Sequence, residues 1–179
     1  MKKVVLVMLV AAFSVAANAQ IKLGVSGGIV IPTAKGADYV GFGGGVSGEY
    51  LVTENIGIGL NLGYYILDSE SGTTGGVKYS ASSYLMPVAF NAKYYFVNDE
   101  IKVYGGLDLG YYTIGVKSKI GSFSISGSDG YFGLAPVVGL QFGLTPTLAL
   151  DVNTKYNVIL TKGDSTGMIG FNAGIVYKF

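Results

Sequence analysis

The side chains of this sequence that could carry acid–base chemistry are few. Glu49, Lys93, Lys102, Asp108, Asp151 and Lys155 supply three carboxylates and three amines. His and Cys are both absent. Without imidazole, the usual proton carrier near neutral pH, and without a thiolate nucleophile, sites built on Ser-His or Cys-His pairs are excluded. A Lys–carboxylate site would have to use Glu49 or Asp151 beside Lys93. Buried ion pairs account for the same residues without any reaction. The sequence therefore assigns no catalytic residue, no cofactor ligand and no metal ligand. Gly43-Gly44-Gly45 does not change this, because a phosphate loop needs a following Lys-Ser/Thr and a helix, and neither is present.

What positions these charges is an alternation of period two. In residues 21–31, 41–52, 56–67, 83–96, 101–113, 131–144, 148–160 and 168–179, every second residue is mostly apolar. In the third segment Ile56, Ile58, Leu60, Leu62, Tyr64 and Ile66 alternate with Gly57, Gly59, Asn61, Gly63 and Tyr65. A period of two is that of a strand and not of a helix. Across all eight segments the apolar face carries no Asp, Glu or Lys. Lys22, Lys178 and the six charges above all fall on the opposite face. A Lys facing lipid near mid-membrane would cost about 2–4 kcal/mol, which is a reason to keep one face free of charge.

Composition agrees. Half of the 179 residues are hydrophobic, while only 13% are charged, against roughly 25% in soluble domains. Beyond the first residues no apolar run approaches the roughly 18 that a membrane helix needs. A soluble eight-stranded barrel of lipocalin type would turn the polar face outward. That face, mostly Gly, Asn, Ser and Tyr, is too poor in charge for a water-facing surface. Met1-Lys2-Lys3, the apolar Val4 to Val15 and Ala17-Asn18-Ala19 form a secretory signal, expected to be removed. Residues 1–19 are then the signal peptide and 20–179 one barrel domain. Of 12 basic residues two lie in this leader, so the remainder nearly balances the 11 acidic ones and no nucleic-acid surface arises.

Connections alternate in length. Residues 53–55, 97–100 and 145–147 are tight turns, while 32–40, 68–82, 113–130 and 161–167 are longer and rich in Gly, Ser, Thr and Lys. Aromatics gather at two heights: Tyr50, Tyr94, Phe96, Phe142, Tyr177 and Phe179 below, Tyr64, Tyr84, Tyr111, Phe132 and Tyr156 above. Pro87 and Pro136 fall inside strands, where the missing N–H predicts bulges. The alternation of Phe123 and Ile125 with Ser predicts that the fifth and sixth strands continue as a hairpin, turning at Gly127-Ser128-Asp129-Gly130.

The terminal pattern Asn172-x-Gly174-x-x-Tyr177-x-Phe179 resembles the signal by which the outer-membrane assembly machinery recognises a closing strand. With the leader and the eight alternating segments, the chain resembles the small eight-stranded bacterial outer-membrane β-barrels of the OmpA/OmpX type. Trp is absent, so Tyr and Phe supply the aromatic belts alone. The resemblance implies an all-β, antiparallel up-and-down transmembrane barrel in the cell outer membrane. Its partners would be outer-membrane lipid, the barrel assembly machinery and an extracellular protein reached through the loops; it would be a monomer and not an enzyme. The expected role is structural and interactive: envelope integrity, adhesion or host contact. The alternative is a small porin or diffusion channel, which the inward glycines favour if they leave the lumen unfilled.

Overall fold

Strands that are apolar on one face and polar on the other can shelter the polar face by curling until the sheet edges meet. Closure also removes the unpaired edges that lipid cannot satisfy. The computed structural model, which describes residues 21–33, 39–74, 77–98, 100–120, 123–161 and 163–179, has this architecture. The strands are β1 (Ile21–Pro32), β2 (Gly41–Leu51), β3 (Ile56–Thr74), β4 (Val77–Asn98), β5 (Ile101–Ile120), β6 (Phe123–Gly143), β7 (Leu148–Thr161) and β8 (Asp164–Lys178). Each pairs antiparallel with its sequence neighbours, and β1 pairs with β8 to close the barrel. The Phe179 amide donates to the Ile21 carbonyl at 3.0 Å, carrying the seam to the last residue. The signal segment lies outside the described residues.

The alternation sets the two faces as the charge pattern requires. Leu60, Val88, Phe90, Leu109, Val152 and Ile175 are exposed on the wall, whereas Glu49, Asn91, Asp108, Gln141 and Asp151 are buried inside. Aromatic pairs mark both rims. Tyr94 meets Phe96 and Tyr177 meets Phe179 edge-on at the end where Ile21 and Phe179 lie, here the lower end. Tyr64 stacks on Tyr84 and Tyr111 meets Phe132 at the upper end. Two lower turns share one device: the hydroxyls of Thr53 and Thr145 each accept the backbone amide three residues on, from Ile56 and Leu148, at 3.0 Å.

The upper connections differ from expectation. Strands β3 and β4 run on to the pair Thr74–Val77, so most of the segment read as a long loop is ladder. The β5–β6 hairpin exists, but its last pair is Ile120–Phe123, and the expected turn Gly127 to Gly130 lies inside β6. Thr161 pairs with Asp164, which replaces the loop expected over residues 161–167 by a two-residue connection. Gly163 supplies the positive φ of 94° there, a conformation that costs glycine little. The prolines do not cause bulges. Beside Pro87 the β3–β4 ladder lapses between the pairs Leu62–Val88 and Tyr65–Leu85, and beside Pro136 the β6–β7 ladder lapses between Leu134–Val158 and Val137–Lys155. Register is kept across both gaps. It slips instead at Leu67 and Phe96, each an extra residue in its strand.

Candidate functional site

Inside the barrel the side chains form three layers. The lower layer is built by cross-strand neighbours. Lys22 on β1 stands opposite Glu49 on β2, and its Nζ lies 2.9 Å from Glu49 Oε1. Lys93 on β4 reaches Glu49 Oε2 at 2.8 Å. The Tyr95 hydroxyl donates to Glu49 Oε1 at 2.6 Å and accepts from Lys22 at 2.7 Å. One carboxylate thus serves two ammonium groups and a phenol. Asp151 has no ammonium partner among the described residues; it accepts from the Tyr104 hydroxyl at 3.0 Å, Gln141 Nε2 at 2.9 Å and Asn153 Nδ2 at 2.7 Å. Three neutral donors suffice to solvate it.

The middle layer holds a second pair, Lys155 Nζ to Asp108 Oδ2 at 2.7 Å, with Asn61 Nδ2 donating to the same oxygen at 3.0 Å. Asn91, fully buried, faces Asp108 across β4–β5; neither of its amide atoms, nor Asp108 Oδ1, has a hydrogen-bond partner among the described residues. Asp108 lines a cavity of about 80 Å³, bounded below by Lys93, Tyr104 and Asp151 and above by Tyr65, Leu85 and Tyr112. At roughly 30 Å³ per molecule this is room for a few waters.

The upper layer is apolar. Val30, Leu67, Leu85, Ile159 and Met168, all at most 3% exposed, pack with Tyr65 and Tyr112, and Tyr39, Ile114 and Tyr131 cover them. The tyrosines tie this plug to the polar layer, Tyr65 through Asn172 Oδ1 at 2.7 Å and Tyr112 through Asn157 Oδ1 at 3.4 Å.

Of the six charges singled out from sequence, the structure brings Glu49 to Lys93 and Asp108 to Lys155, leaves Asp151 to neutral donors, and places Lys102 Nζ 5.9 Å from the Tyr95 ring centroid. Lys22, placed on the inward face from sequence but not with these six, belongs to the network, and the inward tyrosines Tyr65, Tyr95, Tyr104 and Tyr112 were not singled out. Their signal was present as inward glycines on adjacent strands. Tyr65 stands opposite Gly43 and Tyr104 opposite Gly139; a Cβ at Gly139 would meet the Tyr104 ring at 2.5 Å. A Cβ at Gly57 would meet the Glu49 carboxyl at 2.8 Å. Large neighbours lie across Gly43, Gly57 and Gly139, whereas Gly63, Gly170 and Gly174 line the cavity beside Asp108.

Comparison with known proteins bears on this arrangement. Residues 4–179 match the family described as the outer membrane protein beta-barrel domain. The fold is similar to that of neisserial surface protein A, with 17% identity, TM-score 0.65, and 91% of this chain and 98% of that one covered. Ail, the attachment invasion locus protein of Yersinia pestis, solved with the heparin analogue sucrose octasulfate, is similar at 19% identity and TM-score 0.63, covering 90% and 97%. A major outer membrane protein of Thermus thermophilus has 14% identity and TM-score 0.65, covering 89% and 99%. At these identities the likeness is one of fold. No curated protein matches the chain significantly.

Proposed function

The chain belongs to the outer membrane protein beta-barrel family of the bacterial outer membrane, and from that premise we propose that it acts as a structural and surface-interaction protein. The observation that carries this reading is the sheet above the upper belt. From Tyr111 at the rim, β5 continues to Ile120, roughly 30 Å of further strand. With β3, β4 and β6 it builds a four-stranded sheet outside the lipid. The ladder between β6 and β7 reaches up only to Gly133–Ile159, so among the described residues the segment 123–131 presents a free edge. Its inward register positions carry Phe123 and Ile125, 81% and 76% exposed. Such an edge can capture an extended segment of a partner protein by strand addition, with apolar side chains adding area.

The barrel is taken as a monomer that performs no catalysis. Gly174, Tyr177 and Phe179 at the closing strand are proposed as the signal read by the barrel assembly machinery, after removal of residues 1–19. On this topology the lower turns face the periplasm and the sheet faces outward. Ser126→Cys should react with an impermeant thiol reagent on intact cells, and Glu54→Cys should not; the reverse labelling would invert the barrel.

Deleting residues 116–127 tests the role itself. The shortened barrel should still fold and show heat-modifiable migration, while cells displaying it lose most of their attachment to protein-coated surfaces. Undiminished attachment would refute the surface role of this sheet.

A further inference from the structure

The lumen holds more cations than anions, and the excess is concentrated at one place. Lys22, Lys93, Lys102, Lys155 and Lys178 occupy inward register positions, against Glu49, Asp108 and Asp151. Every carboxylate is committed: Glu49 to Lys22 and Lys93, Asp108 to Lys155, Asp151 to Tyr104, Gln141 and Asn153. Lys102 and Lys178 are left, half-buried and without an ion pair among the described residues. Both stand at the lower mouth. Lys178 is the register partner of Lys22 across the β1–β8 seam, and like charges directly opposite destabilise a strand pair. Lys102 and Lys22 approach one ring, their Nζ atoms 5.9 and 4.0 Å from the Tyr95 centroid. Lys102 is also close enough to repel both Lys178 and Lys22.

Lys22 and Lys102 over the Tyr95 ring, with Lys178 opposite Lys22 across the seam, make the lower mouth positive, and solvent screens them less there than at an open surface. We infer that the periplasmic mouth of the barrel binds a compact oxyanion, a phosphate-type group held between Lys102 and Lys178 with Lys22 beneath it. Such an anion offsets the repulsion across the seam and gives each free ammonium an acceptor. Because these lysines project inside the wall, a soluble periplasmic oxyanion reaches them more directly than a lipid headgroup does. The site is independent of the external sheet and of what that sheet binds.

The test is a titration of the folded protein in neutral-lipid nanodiscs with inorganic pyrophosphate, followed by amide NMR. Saturable shifts are expected at residues 22–23, 102–104 and 177–179. Lys102→Gln with Lys178→Gln should weaken the apparent Kd by about tenfold or more, near 1.4 kcal/mol, while Lys102→Arg with Lys178→Arg retains binding. Lys117→Gln with Lys119→Gln, on the external hairpin, should change nothing. A wild type without saturable shifts, a Gln pair that binds as well as wild type, or shifts confined to the external hairpin would each overturn the site. Repeating the titration with anionic lipid separates the sources: competition supports the site with a headgroup as its occupant, and unchanged affinity supports it with a soluble one.

Discussion

Glu49→Gln should destabilise the folded barrel by about 3–5 kcal/mol in urea unfolding from lipid vesicles. The size follows from what the substitution leaves behind. Glu49 is 5% exposed and, among the described residues, is the single carboxylate within salt-bridge reach of both Lys22 and Lys93. Its loss strands two ammonium groups in a confined site. Lys93→Met removes less, about 1–3 kcal/mol, because Lys22 still neutralises the carboxylate at 2.9 Å. Sequence reasoning placed Lys93 beside Glu49 without Lys22; the geometry makes Glu49 the group on which both amines depend. Replacing Lys22, Glu49 and Lys93 together by apolar residues of similar volume should recover most of the loss, since a wholly apolar substitute removes the desolvation cost as well as the attraction. Equal and negligible effects of all three single substitutions would mean that water screens the lumen and that these pairs do not hold it.

The apolar plug predicts the other large effect. Leu85→Ala and Ile159→Ala should each cost about 2–5 kcal/mol, because both side chains are essentially unexposed and β-ladders on both sides hold their backbones against collapse into the space left. The two losses should not add, as both residues belong to one cluster. Urea midpoints of the single and double variants check this. A cost below that of a surface substitution would show that the upper lumen is loosely filled.

The wall of the barrel was legible in the sequence because lipid imposes a one-sided rule. Ile56 to Ile66 alternate without exception, and no charge crosses to that face. The rule ends where lipid ends. Above the upper belt Ser69, Ser71, Ser80, Ser82, Ser124 and Ser126 meet water, so beyond the short alternation at Phe123 and Ile125 little period marks the strands and glycine-rich stretches read as turns. Gly127 to Gly130 carried such a signal, yet the register fixed by the Ile120–Phe123 pair draws it into β6. The lumen was legible in its charges and not in its filling. Inward Val30, Leu67, Leu85, Ile159 and Met168 come to one level near the upper aromatic belt, a clustering visible only once register aligns five strands. Likewise an inward tyrosine and an inward glycine look like separate facts until Tyr104 is found opposite Gly139.

The central claim is that the lumen is closed and that function resides on the outer sheet. Single-channel recording of the purified, folded barrel in planar bilayers tests it most directly. The plug above and the Glu49 layer below predict a silent protein, with no discrete conductance steps across the usable voltage range. Reproducible steps whose ion selectivity changes with Lys93→Met or Asp108→Asn would contradict it and establish a conducting pore.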